Sequence, residues 1–192
     1  MKPNQSLQRS GDSLSLAQSA ELGRLEPKGE NVVATGQSTQ LTRQIGEHLV
    51  AAKLGRMGIF ATLFAGNVPD FDLIGANGEG KSTLVQVKAI HGPSWQFRAD
   101  AFLNIKMVGN EQVVKGKKKL RNPNLICVYI LLCESEKDEF YVFRLKDIQA
   151  EIAKTYRGGV RPKNPLSMHC AVWPKQLVKY KNNWPLVLES LA

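Results

Sequence analysis

The segment LIGANGEGKSTLVQVKAI, residues 73–90, can carry either of two chemistries. Gly75 to Ser82 satisfies G-x-x-x-x-G-K-[ST], the spacing of a loop whose backbone N–H groups and lysine cradle nucleotide phosphates. The same letters allow a β-hairpin, because Asn77-Gly78 and Gly80 supply positive φ at low steric cost. In a hairpin, Gln86 and Lys88 share one face of the second strand, and Asp70 and Asp72 share one face of the chain entering the first. Adjacent strands then bring Asp72, Gln86 and Lys88 to one edge of a sheet. A carboxylate and an amide oxygen there can hold a divalent cation, and an ammonium beside them can steer a water or offset negative charge.

The neighbouring residues favour the hairpin. LIGANGEGKSTL resembles the Walker A segment of ABC-type ATPases, which must follow a buried strand and open a helix. Upstream, PDFDLI would set Asp70 and Asp72 at or inside such a strand, where unpaired carboxylates are costly. Downstream, Thr83, Val85 and Val87 are β-branched at period 2, which suits a strand. No LSGGQ-like signature follows, the apolar run at 125–133 reaches Glu134 without a Walker B aspartate, and only 110 residues follow Ser82. A P-loop NTPase using Gly75–Ser82 is the least favoured of three readings.

Three ordered stretches resemble the core motifs of the PD-(D/E)XK nuclease superfamily: GEHLVAAKLGRMGIFATLF, a helix carrying Glu; VPDFDLIG, an aspartate opening a strand; and LVQVK, the (D/E)-X-K position. Asp72 precedes Gln86 by fourteen residues across a turn. The resemblance implies a restriction-endonuclease-like α/β core with a mixed central β-sheet flanked by helices. It makes Asp72 the central metal ligand, with the Gln86 side-chain oxygen and the Val87 carbonyl beside it. Glu47 would reach the metal directly or through water, and Lys88 would align or activate the attacking water. The implied cofactor is Mg²⁺, with Mn²⁺ as a substitute, and the implied reaction is hydrolysis of a phosphodiester, making the chain a DNA endonuclease. Gln86 departs from the commoner Asp or Glu and removes one negative charge from the site. A catalytically inactive nucleic-acid-binding module of the same fold is therefore the alternative. Taken singly, Glu47 reads equally as a solvated helix residue, Asp72 as a turn cap and Lys88 as a surface charge.

Other polar clusters carry less. Lys115, Lys117, Lys118, Lys119 and Arg121 in KGKKKLR form an expected basic loop able to neutralise backbone phosphates, or merely a solvated one. Trp95 and Phe97 could stack on a base or pack in the core. His48 and His91 flank the motifs without companion ligands, and His169-Cys170 lacks the further ligands of a zinc site.

The elements that must position these residues follow from patterning. Leu41, Ile45, Leu49, Ala52 and Leu54 recur at helical spacing, predicting a helix from about Thr39 to Arg56 with Ser38 or Thr39 as N-cap. IFATLF, FDLIG and TLVQVKAI read as strands, with AGNVPD as the turn after the first. SWQFRADAFLNI predicts a short helix, and KGKKKLRNPN a loop. LICVYILLC is apolar throughout, as a strand covered on both faces is, and EFYVFRL alternates as its antiparallel neighbour across ESEKDE. A helix over 146–156 and a terminal helix complete the reading.

Composition sets the setting. The chain has 192 residues, 43% of them hydrophobic, enough for one domain over 39–192 preceded by a flexible polar tail over 1–38. Lys and Arg outnumber Asp and Glu by 26 to 17, and residues 1–40 contribute four of each sign, so the whole excess follows residue 40. Such a balance favours a polyanionic partner, nucleic acid above all. On one strand, Cys127 and Cys133 would stand roughly 20 Å apart, too far to bridge, so they read as core thiols in a reducing compartment. The opening residues lack the roughly 7–15 apolar residues of a signal peptide, and no run approaches the roughly 18 needed to span a bilayer. A cytoplasmic protein without membrane partners is expected; self-association into a homo-oligomer stays open.

Overall fold

Helix α1 (Gly36–Arg56) is the first element of the computed structural model, which describes residues 36–64, 70–134, 137–160 and 163–192. The helix starts three residues earlier than its pattern predicts, so Ser38 and Thr39 are not its N-cap; the Thr42 hydroxyl donates to the Ser38 carbonyl at 2.9 Å. Its fully buried stripe is Gly46, Val50 and Leu54, spaced four apart, whereas Leu41 and Ala52 are exposed. Gly46 sets the stripe: a Cβ there would stand 2.5 Å from the Ala89 Cβ, so only glycine lets the helix lie this close to the sheet. Residues 1–35 of the expected tail lie outside the described residues, as do 65–69 of the AGNVPD turn and 135–136 of ESEKDE.

Strands β1 (Phe60–Leu63), β2 (Leu73–Ala76) and β3 (Ser82–Ile90) follow as expected. SWQFRADAFLNI is not a helix. It forms strand β4 (Trp95–Arg98), a 3-10 turn at Ala99–Ala101 and the start of strand β5 (Leu103–Val108). Trp95 is buried and Gln96 exposed, so the segment alternates at the period of a strand. The basic stretch is likewise shorter as a loop, because strand β6 (Glu111–Lys117) takes Lys115 and Lys117 and leaves the loop to begin at Lys118.

Strand β7 (Ile126–Leu131) pairs parallel with β3, and strand β8 (Glu139–Arg144) pairs antiparallel with β7. The order β1-β2-β3-β7-β8, with antiparallel pairs on both sides of the parallel one, makes the central sheet mixed. Helix α2 (Leu145–Thr155), strand β9 (Gly159–Val160), strand β10 (His169–Val172) and helix α3 (Pro185–Glu189) complete the chain; β9 extends the β5-β6 ribbon and β10 pairs with β4.

Two cores form because β7 is buried on both faces. Val128 and Ile130 join Val50, Leu54, Val85 and Val87 under α1, together with Trp184 and Val187 of the α3 region. Cys127 and Tyr129 face the other way, into Trp95, Phe143 and the α2 residues Ile148 and Ile152. The result is an α/β protein with a mixed central sheet flanked by helices. Cys133 lies beyond the end of β7 and is exposed, correcting its expected place in the strand, and none of the three cysteines forms a disulfide.

Candidate functional site

The glycine-rich octet is a hairpin turn. Asn77 Oδ1 accepts the backbone N–H groups of Glu79 at 3.1 Å and Lys81 at 3.0 Å, Gly80 adopts φ +82°, and Ser82 begins β3. Backbone donors that a phosphate cradle needs are turned onto an asparagine instead, and no helix follows. Asn77 Nδ2 donates to the Leu191 carbonyl at 3.2 Å, and Lys81 Nζ to the Ala192 oxygen, so the turn is fastened to the segment after α3. This overturns the phosphate-loop reading of Gly75–Ser82.

At the opposite end of the hairpin stands Asp72. Its backbone N–H donates to Val85 O at 2.9 Å, and its Oδ2 accepts the Val87 N–H at 2.8 Å, so the carboxylate takes a donor that a strand backbone would otherwise hold. Its Oδ1 accepts Arg43 Nη2 at 3.2 Å, while Arg43 Nε donates to Glu47 Oε1 at 2.7 Å. Arg43 and Glu47 are four residues apart on α1 and share a helix face. The guanidinium thus bridges the two acidic residues, and the Glu47 hydrogen bond pushes its pKa further up, against the opposing effect of burial. The Glu47 side chain is only 10% exposed, so an unpaired charge there would be costly, and Arg43 supplies the partner.

Gln86 and Lys88 project to the other face of β3, into a cleft of about 390 Å³. Asp70, Phe97, Lys118, Lys119 and Arg121 line the same cleft. Gln86 Nε2 leans toward Asp70 O at 3.4 Å, and its Oε1 is met by the Cys127 thiol at 3.9 Å. Burial pushes the Cys127 thiol well up despite the opposing charge of Lys88, so it stays protonated, a weak donor that leaves the amide oxygen free for a stronger partner. Lys88 is exposed, with Nζ 5.6 Å from the Phe97 ring centroid. Asp70, in left-handed backbone at φ +77°, pairs with Arg121 at 3.5 Å.

The basic loop is held from below. Buried Gln149 of α2 donates to the Lys118 carbonyl at 2.7 Å and to the Phe102 carbonyl at 2.8 Å, and Phe102 O also accepts the Lys118 N–H. Lys115 and Lys117 do not join this cleft: both belong to β6, and Lys115 lines a neighbouring hollow with Lys106 and Lys118. Trp95 is core, its Nε1 donating to Lys88 O at 3.0 Å, which fixes the backbone beneath the lysine.

Glu47 and Asp72 are therefore joined through Arg43, Asp72 is joined to β3 at Val87, and Gln86 and Lys88 share a cleft with three of the five expected basic residues. Sequence reasoning missed Arg43 and Gln149. The i to i+4 spacing of Arg43 and Glu47 is a signal that was there to read; nothing local marks Gln149. Among the described residues, no three His, Cys, Asp or Glu side chains gather as a metal-binding group. No described helix is long and apolar enough to cross a membrane.

Fold and site together define an α/β protein with a basic cleft lined by Gln86 and Lys88 on one face of β3 and two carboxylates, Asp72 and Glu47, joined through Arg43 beside it. No family model matches the chain, and no curated protein does. Among solved structures, a bacterial homing endonuclease, I-Ssp6803I, is similar with a TM-score of 0.46 and 18% identity, over 79% of this chain and 94% of that one.

Proposed function

We propose that the chain is a metal-dependent nuclease that hydrolyses phosphodiester bonds in DNA, of the Q-X-K kind in the PD-(D/E)XK superfamily. The observation that carries the reading is one cleft in which Gln86 and Lys88 meet Lys118, Lys119 and Arg121, with Asp72 bonded to β3 between those two residues. A polyanion fits the rim and a hydrolytic centre fits the mouth. The motif resemblance supports the same assignment, with Glu47, Asp72, Gln86 and Lys88 as the reacting set.

The donor set suits Mg²⁺ or Mn²⁺, which prefer oxygens and retain several waters. Asp72, the Gln86 amide oxygen and the Val87 carbonyl would hold the ion, with Glu47 direct or through water. When bound, it would offset charge on the phosphodiester during attack by water. Lys88 contributes an ammonium to orient that water or to meet developing charge. Lys118, Lys119 and Arg121 contact backbone phosphates without reading sequence. Arg43 holds the Asp72 and Glu47 carboxylates to one guanidinium.

Two observations favour a second reading, a DNA-binding module without catalysis: Gln86 is neutral, and Arg43 already supplies a cation to both carboxylates. Titrating Mg²⁺ and Mn²⁺ against plasmid and branched DNA, with calorimetric metal binding alongside, separates the two. Wild type should cut only with metal, Asp72→Asn should bind DNA and cut none, and Gln86→Glu should retain or tighten metal binding. Wild type that binds DNA yet neither binds metal nor cuts any substrate would leave the inactive module in place.

A further inference from the structure

The β5-β6 ribbon turns two different faces to its surroundings. Inward, Leu103 and Gln112 are buried, with Ile105 and Val114 half-buried; outward, Asn104, Lys106 and Val108 stand exposed at every second position of β5. A register slip at Asn104 and Ile105 makes Lys115 an extra residue on β6, and Lys115, Lys106, Asn104 and Lys118 line one hollow. Lys118 lines the cleft of Gln86 and Lys88 as well, so basic residues run from ribbon to cleft past Asp100, the one acid of the hollow, which Arg98 pairs at 2.8 Å. Residues 103–121 hold six lysines and arginines against one acid, Glu111 at the tip.

The ribbon is also braced. Near the tip, Gln112 Nε2 donates to the Pro165 carbonyl at 2.7 Å and the Ser167 carbonyl at 2.9 Å, and its Oε1 accepts the Tyr156 hydroxyl. At the base, Gln149 holds the Lys118 carbonyl. An element fixed at both ends loses little conformational freedom when it binds.

We propose that the outer face of this ribbon enters the major groove of duplex DNA, where Lys106 and Val108 read base edges and Lys115 meets a phosphate. The proposal rests on the nuclease reading and adds to it the means of choosing a sequence. The major groove of B-form DNA admits a two-stranded ribbon and presents guanine N7 and O6 to a lysine and the thymine methyl to an apolar side chain. Val108, 59% exposed and the next outward-facing residue along β5 from Lys106, is the apolar reader. Asn104 donates to Lys117 O at 3.1 Å and braces the two strands.

The test is selection by the full-length chain from a pool of duplexes with a randomised centre, with Ca²⁺ replacing Mg²⁺ so that bound DNA stays uncut. Wild type should enrich defined sequences, and Lys106→Ala should weaken the selected duplex roughly tenfold and relax preference at one or two positions. Replacing the selected guanines by analogues lacking N7 should cost wild type a similar factor and cost Lys106→Ala nothing further. Val108→Ala should relax preference at a thymine, and uracil there should do the same. Duplex RNA, whose major groove is too narrow to enter, should not compete.

If wild type enriches no sequence, or both ribbon variants select the wild-type sequence with wild-type affinity, the proposal is overturned while cleavage still stands as its own question. If wild type cuts DNA and guanine N7 proves irrelevant to a sequence it does select, readout lies elsewhere and the proposal again fails. Wild type that retains no duplex overturns the nuclease reading itself.

Discussion

The β2-β3 and β5-β6 hairpins are fastened differently, one at its turn and the other at both base and tip. In β2-β3 the turn is fastened, by Asn77 and Lys81 onto Leu191 and Ala192, and the polar groups gather at the open end where Asp72 reaches Val87. In β5-β6 both ends are fastened, by Gln149 onto Lys118 at the base and by Gln112 onto Pro165 and Ser167 near the tip, and it is the outer face at Asn104, Lys106 and Val108 that stands exposed. The difference teaches where function can sit in a hairpin. Groups already bonded to the protein have no need of a ligand, which leaves the open end in β2-β3 and the outer face in β5-β6 to meet one. Glycines mark both turns and so distinguish nothing; the tertiary partners do.

The largest expected break in this comparison comes from Lys88. Removing its ammonium from the open end should lower metal-dependent cleavage by about a hundredfold or more, in the range of a positioned proton-transfer or charge-stabilising group. Single-turnover cleavage by Lys88→Ala measures it, and near-wild-type rates would remove Lys88 from the chemistry. Gln149→Leu comes next. It leaves the Lys118 and Phe102 carbonyls without their amide donor, a loss of about 1–3 kcal/mol measurable by denaturant unfolding. DNA affinity should fall with it, because the loop carrying Lys118, Lys119 and Arg121 loses its brace.

Salt dependence sharpens the contrast between loop and ribbon. Replacing Lys118, Lys119 and Arg121 by alanine should flatten the plot of log affinity against log[salt] by about 0.9 for each duplex phosphate that is no longer neutralised. An unchanged slope would return these residues to the role of solvated charge.

The sheet was legible where burial follows local pattern. Period-2 β-branching over 83–87 specified β3 whatever its partners, and the unbroken apolar run at 125–132 specified a strand covered on both faces. Legibility failed where the deciding partner is distant. Arg43 on a helix reads as a solvated charge until Asp72, 29 residues on, is seen beside it. Gln149 draws its meaning from partners 31 and 47 residues away. SWQF failed for another reason: four residues of alternation are too few to outweigh the helix-forming RADA that follows. The basic stretch was misdivided because Lys115 and Lys117 carry no sign of the strand that takes them. Hairpin geometry let the sequence place Asp72 beside β3 and Gln86 and Lys88 on one face of it, but did not show that Asp72 turns to Arg43 on α1 while the other two line the cleft.

The smallest expected effects fall at the fastened turn, and they test whether it is a brace. Lys81 Nζ meets the Ala192 oxygen and lies 3.8 Å from Glu79, but its side chain is about half exposed, so solvent screens both interactions. Lys81→Ala should therefore cost less than about 1 kcal/mol of stability. Asn77 matters more, because one side chain caps two backbone N–H groups of the turn and also donates to Leu191 O. Asn77→Ala should cost about 1–2 kcal/mol, since the turn donors revert to water and the Leu191 carbonyl loses its partner. Neither change touches the open end of the hairpin, so cleavage by the folded fraction should stay within about twofold of wild type. Unfolding curves read beside cleavage rates give both numbers on the same samples. A large loss of cleavage in Lys81→Ala with stability intact would mean that the turn, not the open end, faces the substrate, and the comparison between the two hairpins would have to be redrawn.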